Sequence, residues 1–421
     1  MPPMCFRPYE PEKDKDAVHR IWREIGWIER GQEPRMDLFL QGGQTLVAEV
    51  EGAAECLVAT APGTVRYLAE DLPMSCVTGV TTSRIARRQG IARRLTARAI
   101  ADAAADGAIV SALGMFEQGF YDRLGFGTGG YEHLVALDPS QLRFPRPGPS
   151  RVPRRITTDD WEAVHANRLN RFRGHGACNL TEPVLTRAEM LQTKNGFGLG
   201  FADSSGGGGG GGGGLSHHLW CSAKDDVEFG PYRVKWLAWQ TPEQFLELMG
   251  LLKNLGDQVY VIHLREPAGI QLQDLLNKPF TQWSISERSK YEAEVKAIAY
   301  WQMRICDLGK CLERTHLRGD EVRFNLRMTD PIEKFLPADS PWPGVAGEYV
   351  VTLGPTCGAE PGSDQSLPTL EAPVSTFTRL WLGVRPATGL AITDDLLGPR
   401  DLLEELDHLL RLPEPKPDWD F

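Results

Sequence analysis

The residues with the clearest chemical potential lie between Val77 and Thr96, in the run VTGVTTSRIARRQGIARRLT. Arg87 to Ala92 reads R-x-x-G-x-A. It sits between a strand-like stretch containing Val77, Val80 and Thr82 and a stretch whose Ile91, Leu95 and Ile100 keep helical spacing. A helix start presents unpaired backbone N–H groups and partial positive charge, which is what a pyrophosphate needs. Gly90 permits close approach to phosphate oxygens, and Arg84, Arg87, Arg88, Arg93 and Arg94 concentrate positive charge on a chain of formal net charge −10. A strand with an exposed backbone just upstream can pair with the amides of a pantetheine arm. A solvated helix start carrying surface arginines is the plain alternative for the same residues.

A second group lies farther along, in EQGFYDRLGFG, Glu117 to Gly127. A tyrosine at the start of a short helix beyond the next strand would approach a thioester, and a neutral phenol can donate a proton to a departing thiolate of comparable basicity. Tyr121 is therefore the candidate general acid. Taken without the first motif, Tyr121 and Phe126 read rather as core residues.

The elements that must position these groups are legible in the hydrophobic pattern. CFRPY reads as a strand, DKDAVHRIWREIG as an amphipathic helix with Val18, Ile21, Trp22 and Ile25 on one face, and TLVAEV with AECLVAT as a β-pair. MSCVTGVTT is a strand, GIARRLTARAIADAAADG a helix closed by Gly107, AIVSALG a strand and EQGFYDRLG a short helix. This mixture of elements means an α/β domain. Residues 138–153 hold five prolines in sixteen positions, a linker composition.

Beyond it, TTDDWEAVHANRLNRF reads as a helix with a Thr/Asp cap. HHLWCSA, YRVKWLAWQ and QVYVIHL read as strands around the helix TPEQFLELMGLLKNLG. The nine glycines Gly206 to Gly214 are read as a hairpin tip, an insertion or a placeholder segment. From about Tyr291 a third unit follows, with strands EVRFNLRMTD, GEYVVTLG and TFTRLWLGV and the closing helix DLLEELDHLLRL.

A chain of 421 residues, 41% apolar and 24% charged, is long enough for two or three folded domains. Its acidic balance argues against a general attraction to nucleic acid or to anionic membrane. No stretch reaches the length of a membrane span and MPPMCFRPYEPEKDKD has no apolar signal core, so a cytoplasmic protein is expected. Its eight cysteines show no C-x-x-C pair and no zinc-finger spacing, so neither a metal site nor a disulfide is expected.

The spacing of VTGVTTSRIARRQGIARR followed by FYDRLGFG resembles the GNAT superfamily. Within it, the spacing more closely resembles the Eis (enhanced intracellular survival) acetyltransferases, in which V-x-V-x-P-x-x-R-R-x-G-L-x-R precedes Y-x-R-F-G-Y. The similarity continues in VKWLAWQTPEQFLELMGLL, WQMRICDLGKCLE, FNLRMTDP and the aromatic last residue, and so covers essentially the whole chain. It implies an α/β (α+β) fold of two GNAT-like mixed α/β domains followed by a sterol carrier protein-like α/β domain. The implied boundaries are 1–140 for the GNAT acetyltransferase domain with the coenzyme site, and 150–288 for the second GNAT-like domain with its Gly-rich insertion 206–214. The third domain, 289–421, would return its C-terminus to the active site.

Residue by residue, the resemblance implies backbone contacts to acetyl and pantetheine groups at Val80 and Thr82 and pyrophosphate contacts at Arg87, Arg88, Gly90 and Arg93. Ile91 and Ala92 belong to the same cofactor-binding turn. Tyr121 becomes the general acid and the terminal carboxylate of Phe421 the base. Thr82 stands where the family has a second valine, Arg84 where it has proline, and Phe116 where serine is common. The acceptor pocket is expected to draw on Trp22, Trp27, Glu29 and Glu117, above all Trp27 and Glu117, because aromatic faces and carboxylates suit a cationic amine. Trp22 also fits the core stripe of its helix, and Glu29 a solvated charge.

The expected activity is acetyl transfer from acetyl-CoA to a primary amine of an aminoglycoside- or polyamine-like molecule or a lysine or peptide, by direct attack and without metal. Symmetric oligomers, often hexamers, are what the resemblance implies about assembly. Two other readings stay open: a catalytically weak acyl-CoA-binding regulatory or scaffold protein, and a lipid-binding module built on the third domain.

Overall fold

The computed structural model describes residues 4–145, 151–202, 214–223, 230–277 and 294–420. Phe421 and Gly206 to Gly213 lie outside the described residues. The chain is a mixed α/β protein of two compact units. One comprises Met1–Gly130, Gly174–Glu182 and Ala299–Phe421, the other Tyr131–Arg173 and Pro183–Ile298.

The first unit is built on strands β1 (Met4–Pro8), β2 (Gln44–Val50), β3 (Ala53–Tyr67), β4 (Glu70–Thr82), β5 (Val110–Gly114) and β6 (Gly127–Thr128). Helices α1 (Pro11–Glu24) and α2 (Glu33–Leu40) connect β1 to β2, and α3 (Ile91–Ala105) crosses over from β4 to β5. Val18 and Trp22 of α1, Met36 and Leu40 of α2, and Val47, Leu57 and Ala59 of β2 and β3 form one buried cluster. α3 has no periodic charge on its inner face: Ile91, Leu95, Ala97, Ile100 and Ala101 are all buried. A connection through a helix is what a parallel β4–β5 pair demands.

The second unit holds β7 (Glu132–Leu137), β8 (Arg154–Ile156), β10 (Gly196–Ala202), β11 (Leu215–Ala223), β12 (Tyr232–Ala238), β13 (Ile262–Arg265) and β14 (Glu294–Ile298). They form one sheet in the order β14-β7-β13-β12-β11-β10-β8. Leu137, Leu219, Leu248, Leu252 and Ile262 lie at the centre of its core. β12 and β13 are parallel and joined by the helix Pro242–Asn254. The Thr/Asp cap read from the sequence is a capping box, Thr157 with Asp160, ahead of the helix Trp161–Leu169.

Two later stretches return to the first unit. β9 (Cys178–Leu180) pairs with β3, and β15 (Trp301–Ile305) inserts between β5 and β6, giving the order β1-β2-β3-β4-β5-β15-β6. β15 seats against a glycine for a steric reason, since a Cβ on Gly129 would lie 2.1 Å from the Trp301 ring. Four more strands, β16 (Val322–Thr329), β17 (Gly347–Leu353), β18 (Gly358–Pro361) and β19 (Thr369–Pro373), form a separate sheet ordered β18-β17-β16-β19.

The chain passes from the first unit to the second at Gly130, with β7 paired to β13 and β14, and residues from Ala299 onward belong to the first unit. One expectation from the sequence differs from the structure. TFTRLWLGV is not a strand: Val374–Trp381 is a helix. Its β-branched and aromatic composition suggests a strand, yet Val374, Phe377, Thr378 and Trp381 are buried at helical spacing after Pro373. No described helix is long and apolar enough to cross a membrane.

Candidate active site

β4 runs parallel to β5 only from Met74↔Val110 to Val77↔Leu113. β5 stops at Gly114 while β4 continues to Thr82, so past Val77 the β5-facing edge of β4 has no strand partner among the described residues. The other edge stays on β3, down to the pair Cys56↔Thr82. The Ser83 N–H donates to the Glu55 carbonyl at 2.8 Å, and hydrogen-bonded pairs alternate along an antiparallel ladder. Thr81 and Gly79 thus turn their amides toward β3, and Val80 and Thr82 turn theirs into the gap. Thr78 is an extra residue between the pairs Ala59↔Gly79 and Thr60↔Val77, a bulge that bends the strand where the gap begins.

The gap leads to the start of α3. After a 3-10 turn at Arg84–Ala86, the backbone enters the left-handed region at Arg88 (φ 62°) and again at the N-cap Gly90 (φ 74°). No side chain caps α3, so its first-turn N–H groups and the positive end of its dipole are left facing outward. Arg87, Arg88 and Arg93 line the cleft at this point. Arg84 and Arg94 do not: the Arg84 amide and guanidinium bind Glu24 of α1, and Arg94 is turned onto Phe6 and Met4 of β1. An arginine where the family has proline thus ties the turn to α1.

On the opposite wall stands α4 (Gln118–Asp122), whose N-cap Glu117 accepts from the Gly119 N–H at 3.1 Å. Tyr121 is 8% exposed, packed edge-on against Phe120, and its hydroxyl makes no hydrogen bond among the described residues. Burial first, and the Glu117 carboxylate second, push its pKa up to about 12. Val80, Thr82, Arg87, Arg88, Gly90, Ile91, Ala92, Arg93, Trp27, Glu117 and Tyr121 all line one cleft of about 910 Å³. Trp22 and Glu29 are elsewhere. Trp22 is 1% exposed in the α1 core and Glu29 lies in an exposed turn capped by Gln32.

The lining also contains Phe116, and with it Ile25, Gly79, Gly114 and Phe120, which the sequence pattern does not single out as site residues. Gly79 lies under Trp27, whose ring would be 3.7 Å from a Cβ there. Phe116, at the position often serine in the family, is 97% exposed at the rim. These residues carry no sequence signal of their own, because only the splaying of β4 from β5 makes them neighbours.

The chain end is held close by. The Lys416 N–H donates to the His175 carbonyl, the Cys178 N–H to the Pro417 carbonyl, and Trp419 is 1% exposed. The Tyr300 hydroxyl donates to the Trp419 carbonyl at 3.5 Å, and the Tyr300 carbonyl accepts from the N–H of Met115, which lies between the cleft residues Gly114 and Phe116. A proline-rich tail would be expected to fray on its sequence alone; here it is pinned as far as Trp419, with Phe421 itself outside the described residues.

The second unit repeats the order of strand, crossover helix and parallel strand, without the same chemistry. The helix Pro242–Asn254 is capped by its own Thr241, whose hydroxyl accepts from the Gln244 N–H, and no left-handed glycine or arginine precedes it. One of its first-turn N–H groups is therefore satisfied by its own cap.

A family model described as an acetyltransferase (GNAT) domain matches residues 6–129, the stretch that supplies every wall of the cleft just described. Among solved structures, a conserved protein of unknown function from Enterococcus faecalis, described as a probable N-acyltransferase, superposes with a TM-score of 0.79 at 18% identity, covering 100% of both chains. Eis1 from Mycobacterium abscessus gives 0.77 at 18% identity, again over 100% of both chains. A GCN5-related N-acetyltransferase from Anabaena variabilis gives 0.77 at 13% identity with the same coverage. A search of curated proteins gives no match. Residues 6–129 thus resemble the GNAT acetyltransferase domain family, and the chain as a whole has the fold of these solved structures, Eis1 among them.

Proposed function

We propose that the protein transfers an acetyl group from acetyl-CoA to a primary amine of a cationic small molecule or peptide. The observation that carries this reading is the convergence in one cleft of the free β4 edge, the uncapped α3 start with its arginines, and the unpaired Tyr121 hydroxyl. The residues suit the coenzyme: α3 and Arg87, Arg88 and Arg93 for its pyrophosphate, and the Val80 and Thr82 backbone for its pantetheine amides. One of the β4 N–H groups would polarise the thioester carbonyl. The amine nitrogen bonds to the acetyl carbon as the carbon–sulfur bond breaks. Its surplus proton passes to a base, and Tyr121 protonates the departing sulfur. The same desolvation that keeps the phenol neutral raises the basicity of a thiolate leaving beside it. For the base we propose the terminal carboxylate of Phe421, supported by the anchoring of the tail up to Trp419.

Trp27, Phe116 and Phe120 with the Glu117 carboxylate favour a cationic acceptor. The test is thiol release from acetyl-CoA with a panel of spermine, kanamycin and a lysine-containing peptide, for wild type and Tyr121→Phe. Wild type should turn over at least one amine, with Tyr121→Phe slower by about 10²-fold or more and binding coenzyme A equally well. Binding without release from any amine would instead indicate a catalytically weak acyl-CoA-binding protein.

A further inference from the structure

α4, which carries Tyr121, is only five residues long, too short to hold itself in place through its own hydrogen bonds. Its position must come from outside, and β15 supplies it from 180 residues away. The Gln302 side-chain amide is fully buried, and its Nε2 donates to Asp122 Oδ1 at 2.7 Å and to Thr128 Oγ1 at 3.1 Å. Rotating that amide would aim a carbonyl at a carboxylate, so the donor orientation is the one that holds. Two residues on, and so on the same face of β15, Arg304 donates to the Leu124 carbonyl and pairs with Asp330 at 2.6 Å. The two β15 side chains thus grip the backbone and side chain of the turn that follows Tyr121.

Register places this grip at the base of the cleft. Gln302 stands opposite Leu113 of β5, and Leu113 opposite Val77, the last pair before β4 and β5 separate. We infer that Gln302 and Asp122 are positioning residues for the Tyr121 hydroxyl, so that a strand from the C-terminal third of the chain sets the geometry of proton donation to the leaving thiol. This rests on Tyr121 being the general acid. The coenzyme loop at α3 lies across the cleft and makes none of these bonds, so loss of the Gln302–Asp122 bond should leave acetyl-CoA binding intact and slow the chemical step.

The experiment uses the full chain with Asp122→Ala, Asp122→Asn and Gln302→Met, each alone and with Tyr121→Phe, with acetyl-CoA as donor and the amine of the panel above that wild type acetylates fastest. Asp122 is exposed, so its variants keep the fold even if Gln302→Met does not. Misplacing a catalytic group by an ångström costs on the order of 10²-fold, so Asp122→Ala and Gln302→Met should lose about 10- to 100-fold in kcat, with KM for acetyl-CoA unchanged. Asp122→Asn keeps the Oδ1 acceptor and should behave like wild type. Neither loss should add to that of Tyr121→Phe. If Tyr121→Phe is slow while Asp122→Ala keeps wild-type kcat, or if the losses multiply, the positioning role fails and Tyr121 stands. If Tyr121→Phe turns over fully, the reading of Tyr121 fails and takes this inference with it.

Discussion

Arg88 holds a left-handed backbone conformation at φ 62° while lining the α3 end of the cleft, where the coenzyme is proposed to bind. Replacing it with glycine should therefore move stability and binding in opposite directions. An L-residue in that conformation costs about 1–2 kcal/mol, which Arg88→Gly removes. The extra freedom that glycine gives the unfolded chain takes back about 0.5–1 kcal/mol. A net gain of up to about 1.5 kcal/mol remains, which at about 2–4 °C per kcal/mol for a unit of this size is a rise of about 6 °C at most in Tm. The side chain is exposed, so its attraction to a phosphate is screened, and its loss should weaken coenzyme A binding by about two- to fivefold at moderate salt, and less at high salt. Thermal unfolding without ligand and calorimetric titration with coenzyme A at two ionic strengths measure both effects. A lower Tm together with unchanged affinity would refute both the strain and the phosphate contact.

Removing Asp420 and Phe421 should leave folding and coenzyme A affinity unchanged, since Trp419 and the bonds at Lys416 and Pro417 remain, while acetyl transfer falls below a tenth of wild type; undiminished turnover would rule out the terminal carboxylate as base. Trp419→Ala should cost about 3–5 kcal/mol of stability as well as activity, read by denaturant unfolding, because the ring is 1% exposed. His175 accepts from the Leu68 N–H and donates to the Leu382 carbonyl, and burial pushes its pKa from 6.5 down to about 4. Above pH 6.5 both states hold a neutral ring; as the pH falls toward 4 only the unfolded chain gains the proton. About 3 kcal/mol of stability should be lost across that window, and His175→Gln should flatten the loss in unfolding curves taken at several pH values.

The strand order β4–α3–β5, the R-x-x-G-x-A turn and the short helix bearing Tyr121 are all legible in the sequence, because each depends on local pattern: hydrophobic period, glycine at a helix start, a strand before it. The arginines show where such reading ends. Five of them read alike as charge beside a phosphate, and only packing separates Arg87, Arg88 and Arg93 at the cleft from Arg84 on α1 and Arg94 on β1. TFTRLWLGV shows the same thing in reverse: its composition suits a strand, yet the chain is helical after Pro373, with only Ser375 and Arg379, one turn apart, not fully buried in Val374–Trp381.

What the sequence by itself determined is the local chemistry, since backbone propensity and residue type act over a few neighbours. Tertiary structure alone decided which distant segments complete the site. The insertion of β15 between β5 and β6, the grip of Gln302 and Arg304 on the turn after Tyr121, and the threading of the tail past His175 and Cys178 join residues far apart in the chain. No periodicity records such pairings, because their free energy comes from edges and cavities that exist only once the sheet has formed.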